Sequence, residues 1–203
     1  MRIKIFVLLC LTAIMQFTGV TPLKASHYYY KQLSLKDGVT SAVRCILTDK
    51  QGFVWIGTKA GISRYDGHEL KKYVHSPNNP HSIPNNLIHQ IAEDEMSNIW
   101  ILTDKGIARY QRQSDDFFLP TDEKGNPIIA YSTCLTKDGV LFGSKDKVYF
   151  YSYRDSSLRL LQKLNKGSNF NISLLSLWNE HTVLCCSRWQ GLALLDLKTG
   201  KHR

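Results

Sequence analysis

The side chains of this sequence that could do chemistry recur at a fixed spacing. Six residue types return after 45 residues, as Asp49 and Asp94, Trp55 and Trp100, Thr58 and Thr103, Gly61 and Gly106, Arg64 and Arg109, and Tyr65 and Tyr110. A carboxylate could act as an acid or accept hydrogen bonds, and an indole face could stack on a sugar ring. Because a single binding site does not need the same residue twice, the repetition favours packing between structural repeats over ligand contact.

The neighbouring residues indicate a role for each of these side chains. Asp49 and Asp94 directly precede a turn, where an aspartate accepts hydrogen bonds from nearby backbone N–H groups. Arg64 and Arg109 each stand beside a tyrosine on a middle strand, so we expect stacking or ion pairing between repeats. Together with Gly57, the recurring residues are predicted to be structural, and no ligand-binding residue is assigned.

Residues outside the repeated pattern are the better candidates for function, because loops vary while strands keep a shape. These candidates are His75, His81, His89 and Trp189, the last beside Arg188. Each also fits an ordinary surface position, and His89 fits an inner strand. None is therefore named as a ligand residue.

Two weaker copies extend the repeat. The third begins near Cys134 and keeps Gly143 and Ser144 but loses the tryptophan, and the fourth begins near Leu177 and inserts one residue before Gly191. Repeats of about 40 to 45 residues are typical of propeller blades. The sequence predicts blades at about 43–73, 88–118, 131–161 and 172–203, the last one incomplete.

Within the first copy, apolar residues alternate with polar ones and turn residues separate the runs. This period of two predicts strands at Val43 to Thr48, Phe53 to Gly57, Ile62 to Tyr65 and His68 to Tyr73. Asp66-Gly67 predicts a two-residue hairpin turn, which needs positive φ. Four short antiparallel strands in each repeat define an all-β fold of β-propeller blades.

Residues 1–25 have the order of a secretory signal peptide. Basic residues are followed by an apolar run from Ile5 to Val20, and then by Ala25 before the expected cleavage point. The run holds about 16 residues, fewer than the ~20 of a membrane span. We therefore expect a cleaved signal, a periplasmic location and no membrane span in the mature chain.

The net charge argues against nucleic-acid binding, and the cysteine spacing argues against metal binding. Without Arg2, Lys4 and Lys24 of the predicted signal peptide, 23 of the 26 basic residues remain against 17 acidic ones, a net charge of +6. The basic residues are scattered and form no continuous stripe, which argues against a nucleic-acid partner. The four remaining cysteines lie inside apolar runs without metal-binding spacing, so free thiols are predicted. They are Cys45, Cys134, Cys185 and Cys186.

Longer motifs resemble a known family. The segment Tyr28 to Leu33, the pattern Asp-x-x-Gly-Phe-Val-Trp-Ile-Gly-Thr-x-x-Gly-Ile-x-Arg-Tyr-Asp-Gly at 49–67, and Ser82 to Asn86 resemble the start of the periplasmic sensor region of hybrid two-component regulators of Bacteroides-type bacteria. The resemblance is close over residues 28 to about 118 and loose over 130–200.

The resemblance implies a sensor of carbohydrate-derived signals with a saccharide ligand. Members of the family usually continue through two seven-bladed propellers, a β-sandwich, an inner-membrane helix, a histidine kinase, a receiver and a DNA-binding domain, and they control genes for glycan use. No motif of the kinase, receiver or DNA-binding modules occurs in these 203 residues. The sequence therefore predicts signal recognition rather than signal transmission.

The length leaves two interpretations open. Seven blades of ~43 residues need roughly 300 residues, so a truncated gene or fragment is expected, with the remaining blades or a homodimer partner against its open face. Alternatively, Tyr28 to Leu35 supplies the strand that the fourth blade lacks and closes a four-bladed ring. There are two alternatives to a sensor segment. The chain could be a short exported propeller that acts as a protein-interaction module, or a decayed gene fragment.

An enzymatic function is not predicted. Nucleophile-elbow, zincin and P-loop patterns are absent from the sequence, so no catalytic residue, cofactor or metal site is assigned. A propeller lyase of the streptogramin type is the enzyme class nearest in fold, and it is a remote alternative. It would need a set of metal-binding His and Glu residues, and the sequence supplies these residue types without a clear pattern. The residues of those types that come into question are Glu93, Glu95, Glu180 and His181.

Overall fold

The computed structural model of the protein describes Gln32 and residues 42–164 and 170–199. The predicted signal peptide at 1–25 lies outside the described residues. So does the candidate closing strand Tyr28 to Leu35, apart from Gln32, which is exposed and has no regular secondary structure.

Within the described residues, fifteen antiparallel strands form four sheets. The first sheet holds β1 (Val43–Thr48), β2 (Val54–Thr58), β3 (Gly61–Tyr65) and β4 (Leu70–Tyr73). The second holds β5 (Ile88–Glu93), β6 (Ile99–Thr103), β7 (Gly106–Gln111) and β8 (Asp116–Phe118). The third holds β9 (Ser132–Thr136), β10 (Gly139–Ser144), β11 (Lys147–Ser152) and β12 (Leu158–Lys163). The fourth holds β13 (Ile172–Asn179), β14 (Thr182–Ser187) and β15 (Gly191–Asp196).

In every sheet the strands lie side by side in chain order, and the described part of the fourth sheet has three of them. The predicted all-β fold of antiparallel propeller blades is therefore confirmed. In the first three sheets the second strand is covered on both faces, and all five residues of β6 are buried. This explains why these strands read as continuous apolar runs, whereas the edge strand β4 exposes both of its lysines.

The hydrophobic core has three parts, one between each pair of successive sheets. We call these contact surfaces the first, second and third interfaces. The first contains Trp55, Ile62, Tyr73, Ile99, Tyr110 and Phe117. The second contains Trp100, Ile107, Val140, Phe142, Tyr151 and Leu158. The third contains Leu141, Val148, Leu175, Val183, Cys185 and Leu195. Each sheet thus buries an apolar face against each neighbouring sheet.

One predicted turn is wrong in its details. β3 ends at Tyr65 and β4 begins at Leu70, so the connection has four residues rather than the two of Asp66-Gly67. Gly67 has the expected positive φ of 102°, but Asp66 does not. Instead, the Asp66 carboxylate accepts hydrogen bonds from the N–H groups of His68 and Glu69, at 2.8 and 2.7 Å, and this side-chain cap favours the longer turn.

Gly61 occupies the turn position where the sequence predicts backbone freedom. Its φ is +115°, and a Cβ atom there would lie 2.5 Å from the backbone oxygen of Tyr73. Its N–H also donates to the carbonyl of Asn86, at 2.8 Å, in the connection to the second sheet. A glycine is therefore required both by conformation and by the close approach of β4.

Candidate functional site

The recurring aspartate and tryptophan are hydrogen-bonded to each other. Asp49 Oδ1 accepts from the backbone N–H groups of Gln51 and Phe53, at 3.0 and 2.9 Å, as the sequence predicts. Its Oδ2 accepts from the indole Nε1 of Trp55 at 2.9 Å, and Trp55 is fully buried. Burial alone would raise the pKa of Asp49, but these bonds and one from Arg112 outweigh it and lower the pKa. The carboxylate therefore stays ionised and holds the indole in place.

The second sheet repeats this arrangement. Asp94 Oδ2 accepts from Trp100 Nε1 at 2.8 Å, and its Oδ1 accepts from the backbone N–H of Asn98 at 2.8 Å. Trp100 is also fully buried. Its ring meets Phe142 and Tyr151 of the third sheet edge to face, with centroids 5.2 and 4.8 Å apart. Neither recurring tryptophan has a face available to a ligand.

The recurring arginines cross from one sheet to the next. Arg64 donates a hydrogen bond to the Tyr110 hydroxyl, and Arg109 donates to the Tyr151 hydroxyl at 2.7 Å. The Arg64 guanidinium carbon also lies 4.8 Å from the centroid of the Phe53 ring. Each arginine is thus stacked on its own sheet and bonded to the tyrosine of the next, whereas Tyr65 of the first sheet donates to the carbonyl of Gly67.

The remaining recurring residues shape the backbone. Thr58 and Thr103 are buried and donate hydrogen bonds to the carbonyls of Gly61 and Gly106, at 2.9 and 2.8 Å. They close the β2–β3 and β6–β7 turns. At Gly57 a Cβ atom would lie 2.5 Å from Cys45 Sγ and 2.8 Å from a methyl carbon of Ile88, so the glycine permits the close contact of the first two sheets.

Asp115 completes the first interface, although the sequence did not point to it. It forms ion pairs with Lys71 and with Arg64, the latter at 3.2 Å, and it accepts hydrogen bonds from Tyr110 and, at 2.6 Å, from Tyr73. Partial burial would raise the pKa of Asp115, but the bonds from Lys71, Tyr110 and Tyr73 outweigh this and lower it to about 2. The interface therefore contains a carboxylate site built from two cations and two hydroxyls.

The third interface lacks all of these polar contacts. Strand pairing places Leu141, Phe150 and Leu195 where the earlier sheets carry the tryptophan, the arginine and the partner tyrosine. A groove of about 970 Å³ lies between the third and fourth sheets at this interface. Its lining includes Asp138, Phe150, Tyr153, Arg154, Arg159, Leu161, Glu180 and Lys198.

The opposite end of the sheets, which we call the crossover end, is formed by the β2–β3, β6–β7 and β10–β11 turns and by the connections 74–87 and 119–131. Hydrogen bonds tie these parts together, for example from the N–H of Tyr131 to the carbonyl of Gly143 at 2.9 Å. His89 Nε2 lies 2.5 Å from Asp104 Oδ1, and its ring meets that of Tyr131 with centroids 5.6 Å apart. Tyr131 is 40% exposed, so this polar and aromatic cluster faces solvent.

The structure separates the other candidates. His75 Nδ1 contacts the carbonyl of Ile83 at 2.8 Å within its loop, and His81 is an exposed residue 3.7 Å from Asp116. Trp189 lies in the β14–β15 turn and is 84% exposed, more than any other large hydrophobic side chain among the described residues. Of the four candidates, His89 is the one that forms a cluster with other functional groups.

The residues considered for a lyase do not form one site. Glu93 and Glu95 belong to the second sheet, at the end of β5 and in the turn that follows, whereas Glu180 and His181 form the β13–β14 turn of the fourth sheet. Within the described part of the chain, no group of three His, Cys, Asp or Glu side chains is arranged to hold a metal ion. Lys137 binds Glu180 at 2.9 Å, which gives this carboxylate a structural partner.

The described cysteines, Cys45, Cys134, Cys185 and Cys186, are free thiols, in agreement with the sequence. Cys185 is fully buried and its neighbour Cys186 half-buried, because adjacent strand residues point to opposite faces. No helix within the described ranges has the length and apolar character needed to cross a membrane.

Comparison with known proteins agrees with the resemblance inferred from the sequence. Residues 37–60 match the family model of the two component regulator propeller. A histidine kinase P4 of Formosa agariphila is 37% identical over 59 residues, which are 29% of this chain and 4% of that protein. The chain therefore contains a two-component regulator propeller repeat, and it spans a small part of the relative's length.

Solved structures show the same fold. The extracellular domain of a hybrid two component system of B. thetaiotaomicron superposes with a TM-score of 0.63 at 22% identity, over 84% of this chain and 22% of that one. Virginiamycin B lyase of Staphylococcus aureus superposes with a TM-score of 0.57 at 16% identity, over 79% of this chain and 54% of the lyase. At these identities the likeness establishes β-propeller architecture alone, and it includes both a two component system and an enzyme.

Proposed function

We propose that this chain is the ligand-recognition segment of a hybrid two-component regulator, exported to the periplasm, and that its ligand is derived from a carbohydrate. The sensor role is supported by the regulator-propeller match at residues 37–60 and by the likeness to an extracellular sensor domain. The absence of a metal-binding group among the described residues gives no support to the lyase alternative. Binding rather than catalysis is therefore the proposed activity.

The cluster of His89, Asp104 and Tyr131 is the observation that carries the ligand proposal. A saccharide presents hydroxyl groups that donate and accept hydrogen bonds and a ring face that packs on an aromatic side chain. The imidazole and carboxylate supply the first kind of contact, and the exposed ring of Tyr131 supplies the second. His89 is on the inner strand β5 and Tyr131 directly precedes the inner strand β9, so two sheets hold the cluster in place.

A thermal-shift and calorimetric titration of the mature chain tests this site. The probes are maltose, cellobiose and digalacturonate, used one at a time. We expect at least one of them to raise Tm, and we expect Tyr131→Ala or Asp104→Asn to remove that increase. Trp178→Ala is the matched control, because Trp178 is a 70% exposed aromatic side chain on β13. No response to any probe, or equal responses in all variants, would argue against the site.

A fusion experiment tests export separately. Residues 1–30 are joined to alkaline phosphatase that lacks its own signal, because this enzyme gains its disulfides and activity only outside the cytoplasm. We expect phosphatase activity and a processed fusion protein, and we expect both to be lost when two arginines replace Leu8 and Leu9 in the apolar run. An inactive, unprocessed wild-type fusion would contradict the periplasmic location.

A further inference from the structure

One position at the crossover end of the inner strands changes its residue type from sheet to sheet. In every sheet this residue directly precedes the one that pairs with the last but one residue of the second strand. The four equivalent residues are Arg44, His89, Tyr131 and Ser173. Because the recurring tryptophans and aspartates keep their type for packing, a position that varies in this way is a better candidate for ligand contact.

The backbone at this position is irregular in three of the four sheets. The pairing register of the inner strand shifts between the two neighbours of Arg44, of His89 and of Ser173. A shift of this kind is a β-bulge, which re-aims a side chain, and bulges are over-represented next to active sites. All four equivalent side chains are at least partly accessible to solvent. The bulges thus present different side chains at one end of the sheets.

The residue that follows the second strand supplies a partner for the inner-strand residue. In the second sheet this partner is Asp104, whose carboxylate lies 2.5 Å from His89 Nε2. In the first two sheets the first residue of the inner strand pairs with the last residue of the second strand, so Arg44 corresponds to His89. By the same alignment Lys59 corresponds to Asp104. A lysine therefore replaces the carboxylate at the first interface.

The crossover end of the first interface has two cations without an anion. Arg44 and Lys59 are exposed, and neither has an acidic side chain within ion-pair distance among the residues that the structure describes. The turn position of Lys59 is occupied by Lys145 in the third sheet and by Arg188 in the fourth. This end of the sheets therefore carries an excess of positive charge that favours an anionic ligand.

The two cations lie beside the cluster of His89, Asp104 and Tyr131. Strand β1 packs against β5, which carries His89, just as β5 packs against β9, which Tyr131 precedes. The His89 ring meets the Tyr131 ring across the second interface, and the alignment places Arg44 on the other side of β5. Neighbouring sheets pack about 10 Å apart, which is close to the length of a disaccharide. One ligand can therefore contact Tyr131 and Arg44 together.

We propose that the ligand is an acidic saccharide and that Arg44 and Lys59 bind the carboxylate of one of its sugar residues. This inference rests on the proposed function, because the His89 cluster binds the hydroxyl groups and ring face of the same ligand. A guanidinium donates two parallel hydrogen bonds to a carboxylate, which the hydroxymethyl group of a neutral sugar cannot accept in the same way. Arg44 and Lys59 thus determine the preference for a charged ligand.

Two matched disaccharides test this preference by isothermal titration calorimetry with the mature chain. Digalacturonate has a carboxylate on each ring, and α-1,4-linked galactobiose has the same linkage and ring stereochemistry with hydroxymethyl groups instead. We expect digalacturonate to bind roughly tenfold more tightly, as two exposed charged contacts allow. The preference should shrink when NaCl is raised from about 50 to about 500 mM, because salt screens exposed charges.

Variants decide whether the two cations read the carboxylate. Arg44→Gln should lower the preference to about twofold, since one charged contact is lost. Lys59→Asp installs the residue type of the second sheet and should abolish the preference. Both substitutions are at exposed positions, so Tm without ligand should stay unchanged and show that the variants fold. Arg154→Gln is the matched control and should keep the full preference, because Arg154 is an exposed arginine in the β11–β12 turn at the opposite end of the sheets.

The outcomes separate this inference from the proposed function. Equal affinity of the wild type for the two disaccharides, or a preference that Arg44→Gln and Lys59→Asp both retain, would overturn the role of the cations and leave the saccharide site in place. Binding of neither disaccharide would also overturn the inference, and the titrations with maltose and cellobiose would then decide whether the His89 cluster binds saccharides at all.

Discussion

Arg109 of the second sheet donates a hydrogen bond to the hydroxyl of Tyr151 in the third, at 2.7 Å, and the same bond joins Arg64 to Tyr110 one interface earlier. The arginine and its tyrosine are both absent from the third interface, where Phe150 and Leu195 take their positions. Two interfaces are thus joined by a charge-assisted hydrogen bond beside a buried tryptophan, whereas the third lacks this bond and contains the groove.

The Arg109 to Tyr151 bond should be measurable by a double-mutant cycle. Arg109→Leu and Tyr151→Phe each remove one partner, and we expect a coupling energy of about 1 kcal/mol in urea unfolding, since the bond is charge-assisted and half-buried. The matched control pairs Arg109→Leu with Tyr149→Phe on the same strand, because nothing in the structure bonds this tyrosine to Arg109. A coupling energy near zero for Arg109 and Tyr151 would mean that packing alone joins these sheets.

Replacing a buried tryptophan should cost much more. Trp100→Ala removes the contacts with Phe142 and Tyr151 and leaves the Asp94 carboxylate without its indole donor. We expect a loss of roughly 3–5 kcal/mol in the free energy of unfolding. Trp178→Ala, at an exposed position, should change it by less than about 0.5 kcal/mol. Equal losses for the two variants would show that Trp100 does not belong to the core.

The sequence predicted the backbone hydrogen bonds of Asp49 and Asp94 but neither their bonds to the tryptophans nor the Asp115 site, for a physical reason. Asp49 bonds the backbone two and four places away, so its position before a turn and its repetition at Asp94 indicate these contacts. Asp115 instead reaches Arg64 and Lys71 in the preceding sheet. Its counterpart in the next repeat is a serine, so no recurrence marked it.

The groove and the cluster at the crossover end also depend on contacts between sheets. The loss of the tryptophan in the third copy is visible in the sequence, but the groove forms only where residues of the third sheet, such as Phe150 and Leu161, face residues of the fourth, such as Leu177. His89 was recognised as a candidate, whereas its neighbours Asp104 and Tyr131 were not. Asp104 and Tyr131 belong to no repeated sequence pattern, so their proximity to His89 is visible only in the folded structure. The length of the Asp66 turn was wrong because its side-chain cap was not foreseen.

The Asp115 site should make stability depend on pH. Its pKa in the folded protein is about 2, below the ordinary value of 3.8, because Lys71, Tyr110 and Tyr73 stabilise the ionised form against partial burial. A lowered pKa contributes stability above pH ~4, and that stability is lost as the pH falls from about 4 to about 2. Asp115→Asn should therefore be less stable than the wild type at pH 7, and the difference should shrink across this window. Urea unfolding at pH 7, 4 and 2.5 measures it, with exposed Glu123→Gln as the control. A difference that stays constant with pH would contradict the ion pairing of Asp115.

The free thiols should be protected in the folded chain. Burial raises the pKa of Cys45 to about 11 and that of Cys185 to about 12, so few thiolates exist at pH 8 to react with iodoacetamide. We expect both residues to be alkylated at least tenfold more slowly in the native protein than in 8 M urea, where burial no longer suppresses ionisation. Quantitative tandem mass spectrometry measures Cys45 in its own tryptic peptide, and fragment ions distinguish Cys185 from Cys186 in the peptide of residues 167–188 that they share. Equally fast alkylation in the native state would mean that the first and third interfaces open readily, and a Cys185 to Cys186 disulfide would contradict their placement on opposite faces of β14.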